Sequence, residues 1–218
     1  LSTREKIIKE SAILFNAKGF GAINLLEIAN TIGISRGNLT YYFKDKEAIL
    51  EAIADKMWTN IEVERMKSRQ FPSFKNIHNE MQLYYKFQRE YAFIFTDPHV
   101  LNHQHIKRKF REMTHQTILD IKNSIMFSIN IGNIKKEEIP GSYNNIAFIT
   151  WMISFFWHSQ KLITGEKNKN DGEKLVWTMM MPHFTEKGIQ SFKKYFGETY
   201  FKNLGEPFEM DIEKLITF

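Results

Sequence analysis

Cysteine is absent from all 218 residues. That removes disulfides, thiolate metal sites and cysteine nucleophiles, and suits a reducing cytoplasm. A long apolar run is lacking too. No residue between Ile139 and Lys161 carries a formal charge, yet the apolar part is only Ile146 to Trp157, preceded by Pro140-Gly141-Ser142 and Asn144-Asn145. A spanning helix needs about 20 predominantly apolar residues, so no membrane role is expected. The opening residues Leu1-Ser2-Thr3-Arg4-Glu5-Lys6 put charges where a secretory segment has its apolar core. Period-two alternation with turn signals is scarce, so no sheet is expected, and neither repeats nor low-complexity tracts occur. No P-loop, GxGxxG or HExxH is present, which argues against an enzyme.

Charge of one sign is not concentrated either. The net charge is +5 with a pI near 9.2, but residues 1–47 set seven basic side chains against five acids. Basicity is compatible with nucleic acid without establishing it, so a nucleic-acid role has to rest on motif geometry.

The pattern that is present is helical throughout. Ser2 and Glu5 have capping-box spacing, and Ile7, Ile8, Ala12, Leu14 and Phe15 recur behind them until Gly19. Asn24 stands three residues before Glu27 and opens a second helix that Gly33 stops. Only Ile34 separates that glycine from Ser35, a new N-cap candidate for a short third helix from Arg36 to Phe43. Asp45 caps a long fourth helix from Lys46, with Ile49, Leu50, Ile53, Met57 and Ile61 in one stripe, ending before Phe71-Pro72. Beyond Pro72 the pattern predicts helices over 73–96, 99–105, 106–131, 143–164 and 172–197. Breaks are predicted at Asp97-Pro98, Gly132-Asn133, Pro140-Gly141 and from Lys167 to Gly172. The fold class expected is all-α: an N-terminal three-helix DNA-binding domain over 1–47 and a larger helical domain over 48–218.

Two short helices joined by a glycine-containing turn define a helix-turn-helix. Ala29 is small where the helices cross, and Ile28, Ile32, Ile34 and Leu39 can fill the small core shared with the first helix. Arg36-Gly37-Asn38 occupy the first turn of the third helix, the end that meets base edges in such motifs. Arginine matches guanine in bidentate fashion and asparagine matches adenine. Gly37 is a poor helix former, which makes sense where the backbone approaches DNA closely. Thr40, Tyr41 and Tyr42 carry hydroxyls suited to phosphate oxygens; Lys44 and Lys46 add cations, Lys46 at a helix N-terminus. With the caps Asn24 and Ser35 these are the candidate DNA-binding residues.

The run from Asn24 to Glu47 resembles the DNA-binding signature of the TetR family of bacterial transcriptional regulators. The resemblance lies in Ile28-Ala29, Gly33-Ile34-Ser35, Gly37 with Leu39, Tyr42-Phe43 and Lys44-x-Lys46-Glu47. Leu26 departs from it, standing where many members carry a basic or polar residue that touches DNA; Thr40 departs too, replacing the usual tyrosine. The resemblance implies a cytoplasmic bacterial homodimer, nucleoid-associated when bound to its operator. It further implies binding to a palindromic double-stranded operator, repression as the mode of control, and release by a small hydrophobic effector held in the C-terminal domain.

For that domain the sequence offers two residue sets. Ile149, Ile153, Trp157, Trp177, Met181 and Phe184 lie on the two long C-terminal helices that would pair across a two-fold dimer. Tyr84, Phe87, Tyr91, Phe95, His103, Phe110, Met113, Trp151 and Phe155 are large apolar or amphipathic groups that would line a cavity for a hydrophobic ligand. Both sets serve equally well as ordinary core. His99, His103 and His105 cluster without a clear fourth ligand, so no metal or other cofactor is expected. The alternative function is a helical protein-interaction module that retains the motif without using it.

Overall fold

Each helix of the N-terminal region begins on a side chain that satisfies its free backbone N–H groups. The computed structural model describes residues 1–68, 72–165 and 172–205. Ser2 and Glu5 form the full capping box of α1 (Thr3–Lys18): the Ser2 N–H donates to Glu5 Oε2 at 2.7 Å, and the Glu5 N–H donates to Ser2 Oγ at 3.3 Å. Asn24 Oδ1 accepts from the Glu27 N–H at 3.0 Å to open α2 (Leu25–Ile32). Ser35 Oγ accepts from the Asn38 N–H at 3.1 Å to open α3 (Arg36–Tyr42). Asp45 Oδ1 accepts from the Ala48 N–H at 2.7 Å, in the first turn of α4 (Lys46–Ser68).

The chain divides into two compact units, Leu1–Arg69 with Gln82–Gln116, and Gln70–Met81 with Thr117–Phe218. In the first, Ile7, Ile8, Phe15, Ile28, Ala29, Leu39 and Phe43 are buried together with the α4 stripe of Ile49, Leu50, Ile53, Met57 and Ile61. Three helical segments follow where the sequence pattern predicts two. They are α5 (Phe74–Glu90), α6 (Ala92–Thr96) and α7 (Pro98–Asn102), before the long α8 (Gln104–Asn130).

The expected helix over 73–96 is therefore corrected: it breaks at Tyr91. Neither glycine nor proline causes the break. Asn16 of α1 holds both sides of it, donating from Nδ2 to the Glu90 carbonyl (2.6 Å) and accepting the Phe93 N–H on Oδ1 (3.1 Å). The Phe15 and Phe93 rings meet edge to face at 5.3 Å beside it. The expected 99–105 helix runs instead over 98–102, because Asp97 accepts the His99 N–H at 2.9 Å and Pro98 takes the first helical position. Its other oxygen accepts the Phe20 N–H at 3.0 Å.

In the second unit α9 (Ser142–Thr164) agrees with its expected span. The expected helix over 172–197 is corrected: Pro182 divides it into α10 (Glu173–Met180), a 3-10 turn over Met181–His183, and α11 (Glu186–Phe196) with Thr185 as N-cap. A short α12 (Glu198–Lys202) follows. Phe74 is the hub of the core, with ring centroids 5.7 Å from Trp177, 5.4 Å from Phe192 and 5.9 Å from Phe184. Among the described residues there is no strand, only an isolated bridge between Ile134 and Phe184. The fold is all-α, as expected. The expected breaks at Phe71 and Lys167 lie outside the described residues.

Candidate nucleic-acid interface

Gly33 makes the turn between α2 and α3. Its φ of 75° lies in the left-handed region, which glycine enters without steric cost. The Gly33 N–H donates to the Asn30 carbonyl (3.2 Å) and the Ile34 N–H to the Ala29 carbonyl (3.0 Å), so the end of α2 is closed by backbone alone. Behind the turn, fully buried Ile28, Ala29 and Leu39 seat both helices.

What remains outside is the candidate reading surface. Leu39 points inward, and at about 3.6 residues per turn Gly37 and Tyr41 then point outward, with Asn38 and Thr40 on their flanks. Ser35, Arg36, Gly37, Asn38, Thr40, Tyr41 and Tyr42 are all exposed, Tyr41 to 84%. The Tyr41 and Tyr42 rings meet edge to face at 5.2 Å. Thr40 Oγ1 donates back to the Gly37 carbonyl at 3.0 Å. Gly37 has no conformational need to be glycine: its φ is not positive, and a Cβ built there meets only Ser35 Oγ, at 4.0 Å.

Asn24 and Ser35 use their side-chain oxygens as caps, so their contribution to the surface is to fix the two helices. Lys46 also looks inward. Its ammonium donates to the Phe20 carbonyl (2.7 Å) and the Ile23 carbonyl (2.8 Å) and stands 4.3 Å over the Phe20 ring. Lys44, by contrast, has a side chain 84% exposed. Between Leu25 and Phe43 Arg36 is the one cation and Glu27 the one acid. Glu27 is held by Lys18 at 2.6 Å. Sequence reasoning passed over Arg4, whose guanidinium lies 5.1 Å over the Phe43 ring; no local pattern signals a pairing that the tertiary fold creates.

The candidate effector residues divide between the two units. Tyr84, Phe87, Phe95 and Met113 are buried in the first, with Tyr91, His103 and Phe110 partly exposed. Phe110 packs edge to face on Trp58 (5.4 Å) and Phe95 (5.5 Å), and the Trp58 indole donates to Met113 Sδ at 3.2 Å. Trp151 and Phe155 belong to the second unit, their rings 6.0 Å apart. Two buried polar groups missed from sequence lie among such residues. Arg65 pairs with Glu62 at 2.9 Å and faces the Tyr84 ring. Glu173 accepts from the Trp177 indole at 2.9 Å and meets His78 Nδ1 at 2.8 Å.

The candidate dimer residues likewise separate. Trp177 and Phe184 are taken up in the Phe74 cluster, and Trp157 is buried, with Ile153 and Trp157 so close to Gly172 that a Cβ there would lie within 3 Å of both. Met181 is partly exposed. Ile149 stays outside at 42% exposure, beside Phe148 (48%), Met152 (46%) and Phe156 (44%) on one face of α9. The histidines do not converge: His103 faces Glu51 at 3.8 Å and His105 faces Asp55 at 2.8 Å. No group of three or more metal-binding side chains occurs among the described residues.

Comparison with known proteins gives this geometry its family. The family model described as bacterial regulatory proteins, tetR family, matches residues 7–53, and that described as bacterial transcriptional repressor matches residues 60–192. The chain belongs to the TetR family. Regulators of this family bind DNA and are not enzymes. Among curated relatives, the HTH-type regulator YerO of Bacillus subtilis is 28% identical over 160 residues, 66% of this chain and 55% of YerO. The match thus spans about half the relative's length. Among solved structures, a TetR-family regulator from Marinobacter aquaeolei superposes with a TM-score of 0.79 at 21% identity, covering 92% of this chain and 99% of that one. A complex of SmeT with triclosan superposes with a TM-score of 0.65 at 15% identity, covering 87% and 94%. At such identities the likeness establishes the fold. Family members bind DNA and small molecules, typically as dimers. Among the described residues of this regulator no helix is long and apolar enough to cross a membrane.

Proposed function

We propose that this regulator is a repressor that binds a palindromic operator as a homodimer and is released by a small hydrophobic ligand. One observation carries the reading. Every outward residue of α3 from Arg36 to Tyr42 is exposed, while Leu39 alone anchors the helix. A helix seven residues long and held by one buried side chain gains little by itself; its surface is spent on a partner.

In this reading Arg36 reads guanine and Asn38 reads adenine, while Gly37 lets the backbone approach the groove. Tyr41, Tyr42 and Lys44 supply phosphate contacts along the flank. Asn24, Ser35 and Lys46 hold the surface in place. The reading head is the segment 1–47, and 48–218 senses the ligand and dimerises.

A second copy covers the α9 face of Phe148, Ile149, Met152 and Phe156. An exposed apolar stripe of this size on one helix is what two-fold pairing removes from water, in a family whose members are typically dimers. Buried Trp157, Trp177 and Phe184 serve as core behind the helices, while partly exposed Ile153 and Met181 flank the interface. The apolar set around Tyr84, Phe87, Tyr91, Phe95, His103, Phe110 and Met113, and that of Trp151 and Phe155, supplies the environment for a hydrophobic effector; the SmeT–triclosan neighbour supports this class. A cytoplasmic location, at the nucleoid when operator is bound, follows from the role.

The test is selection of preferred duplexes from a random pool by the full chain, followed by anisotropy titration. The expected result is a palindromic consensus bound with an affinity that falls steeply with salt. Equal affinity for all duplexes would overturn the proposal.

A further inference from the structure

We infer that Thr40 and Leu26 read thymine 5-methyl groups, so that the operator half-site is weighted toward A·T pairs. The inference rests on the DNA-reading role proposed above and gives it a substrate class.

Thymine is the base whose major-groove edge carries an apolar group, and threonine methyls and apolar side chains are its natural contacts. Thr40 stands on the outward flank of α3. Its only donor hydrogen is committed to the Gly37 carbonyl at 3.0 Å, within the same helix, which leaves the methyl for a base edge. Leu26 lies across α2 from buried Ile28 and is 52% exposed. A large apolar side chain left in water, on the helix that precedes the reading helix, has nothing to cover within its own chain.

Charge points the same way. Arg36 is the single cation between Leu25 and Phe43, and Glu27, which would accept from cytosine, is already held by Lys18 at 2.6 Å. Guanine reading is thereby confined to one side chain per half-site. Asn38, exposed beside Gly37, matches adenine, the partner of the same thymines. Three of the four chemistries on this surface therefore select A·T pairs.

The experiment starts from the duplex that the full chain selects from a random pool. Each thymine is replaced singly by deoxyuridine, which removes the 5-methyl and nothing else. Wild type should lose about fourfold in affinity at each contacted methyl, the worth of one buried methyl group. Thr40→Ser keeps the hydroxyl and its bond to Gly37 while deleting the methyl; it should be indifferent to uracil at one such position. Leu26→Ala should be indifferent at another. Both positions are exposed, and melting curves check that each variant folds as wild type does. Wild-type indifference at every thymine overturns the inference. So does sensitivity that both variants retain, or a selected half-site dominated by G·C pairs. A pool that yields no preferred sequence overturns the DNA-reading role itself, and is distinguishable from these outcomes at the first step.

Discussion

Replacing Gly37 with alanine should move stability and DNA binding in opposite directions. Gly37 sits in the first turn of α3, exposed, with helical backbone and no positive φ. A Cβ there meets nothing nearer than Ser35 Oγ at 4.0 Å. Nothing inside the chain therefore opposes the substitution, and helix propensity favours alanine by about 1 kcal/mol. For a chain of this size that corresponds to a rise of about 2–4 °C in the melting temperature. Against DNA the same methyl projects from the outermost row of the reading helix. Forcing a methyl into a close-packed contact costs about 1–3 kcal/mol, or about 5- to 150-fold in affinity. Calorimetry and anisotropy titration on one preparation read both signs. Unchanged operator affinity in a stabilised Gly37→Ala variant would refute the claim that the absent side chain makes room for DNA. Gly188→Ala is the contrasting control: a Cβ there would overlap the Asn133 carbonyl, so stability should fall with the reading head untouched.

Further substitutions separate contact from support. Lys44→Ala should weaken binding on all sequences alike and lower the slope of log K against log salt by about 1. Lys46→Met should leave that slope unchanged and cost about 1.5–3 kcal/mol of stability, because its charged bonds go to Phe20 and Ile23; a reduced slope would show a phosphate contact instead. Glu173→Leu strips the Trp177 indole and His78 of their shared acceptor and should destabilise the chain by about 1–3 kcal/mol in denaturant titration, with DNA discrimination retained. The backbone N–H of Tyr143 above all holds the Glu137 carboxyl below the ordinary carboxylate value of 4.5. Its contribution to stability is thus complete above that pH and is lost as pH falls through the lowered value. Glu137→Gln should remove that part of the acid limb of a stability–pH profile.

The N-terminal architecture was legible because its determinants are local. Ser2 with Glu5, Asn24, Ser35 and Asp45 each cap within three residues of themselves, and Gly33 stops α2 by its own φ. Tyr91 shows the other case. The break there is imposed by Asn16, some 75 residues earlier in the chain and able to bond the backbone on both sides. Pro182 divides the 172–197 run, a break that the apolar periodicity around it masks in the sequence. Among site residues, the outward set on α3 followed from the period of the helix about Leu39. Lys46 did not, since the carbonyls it meets lie in a loop 23 and 26 residues away. Trp177 and Phe184 look like interface in sequence and pack as core, because Phe74 arrives from a different part of the chain to cover them.

The central role is that of α3 as a reader of base sequence. The direct measurement is anisotropy titration of the full chain on its selected palindrome and on a scrambled duplex at one moderate salt concentration, for wild type and for the Arg36→Ala, Asn38→Ala pair. Wild type should prefer the palindrome by at least about 10³-fold. The folded double variant should lose most of that preference and keep its affinity for the scrambled duplex within about tenfold, since each base contact is worth about 1–3 kcal/mol. A double variant that discriminates as well as wild type would contradict the account.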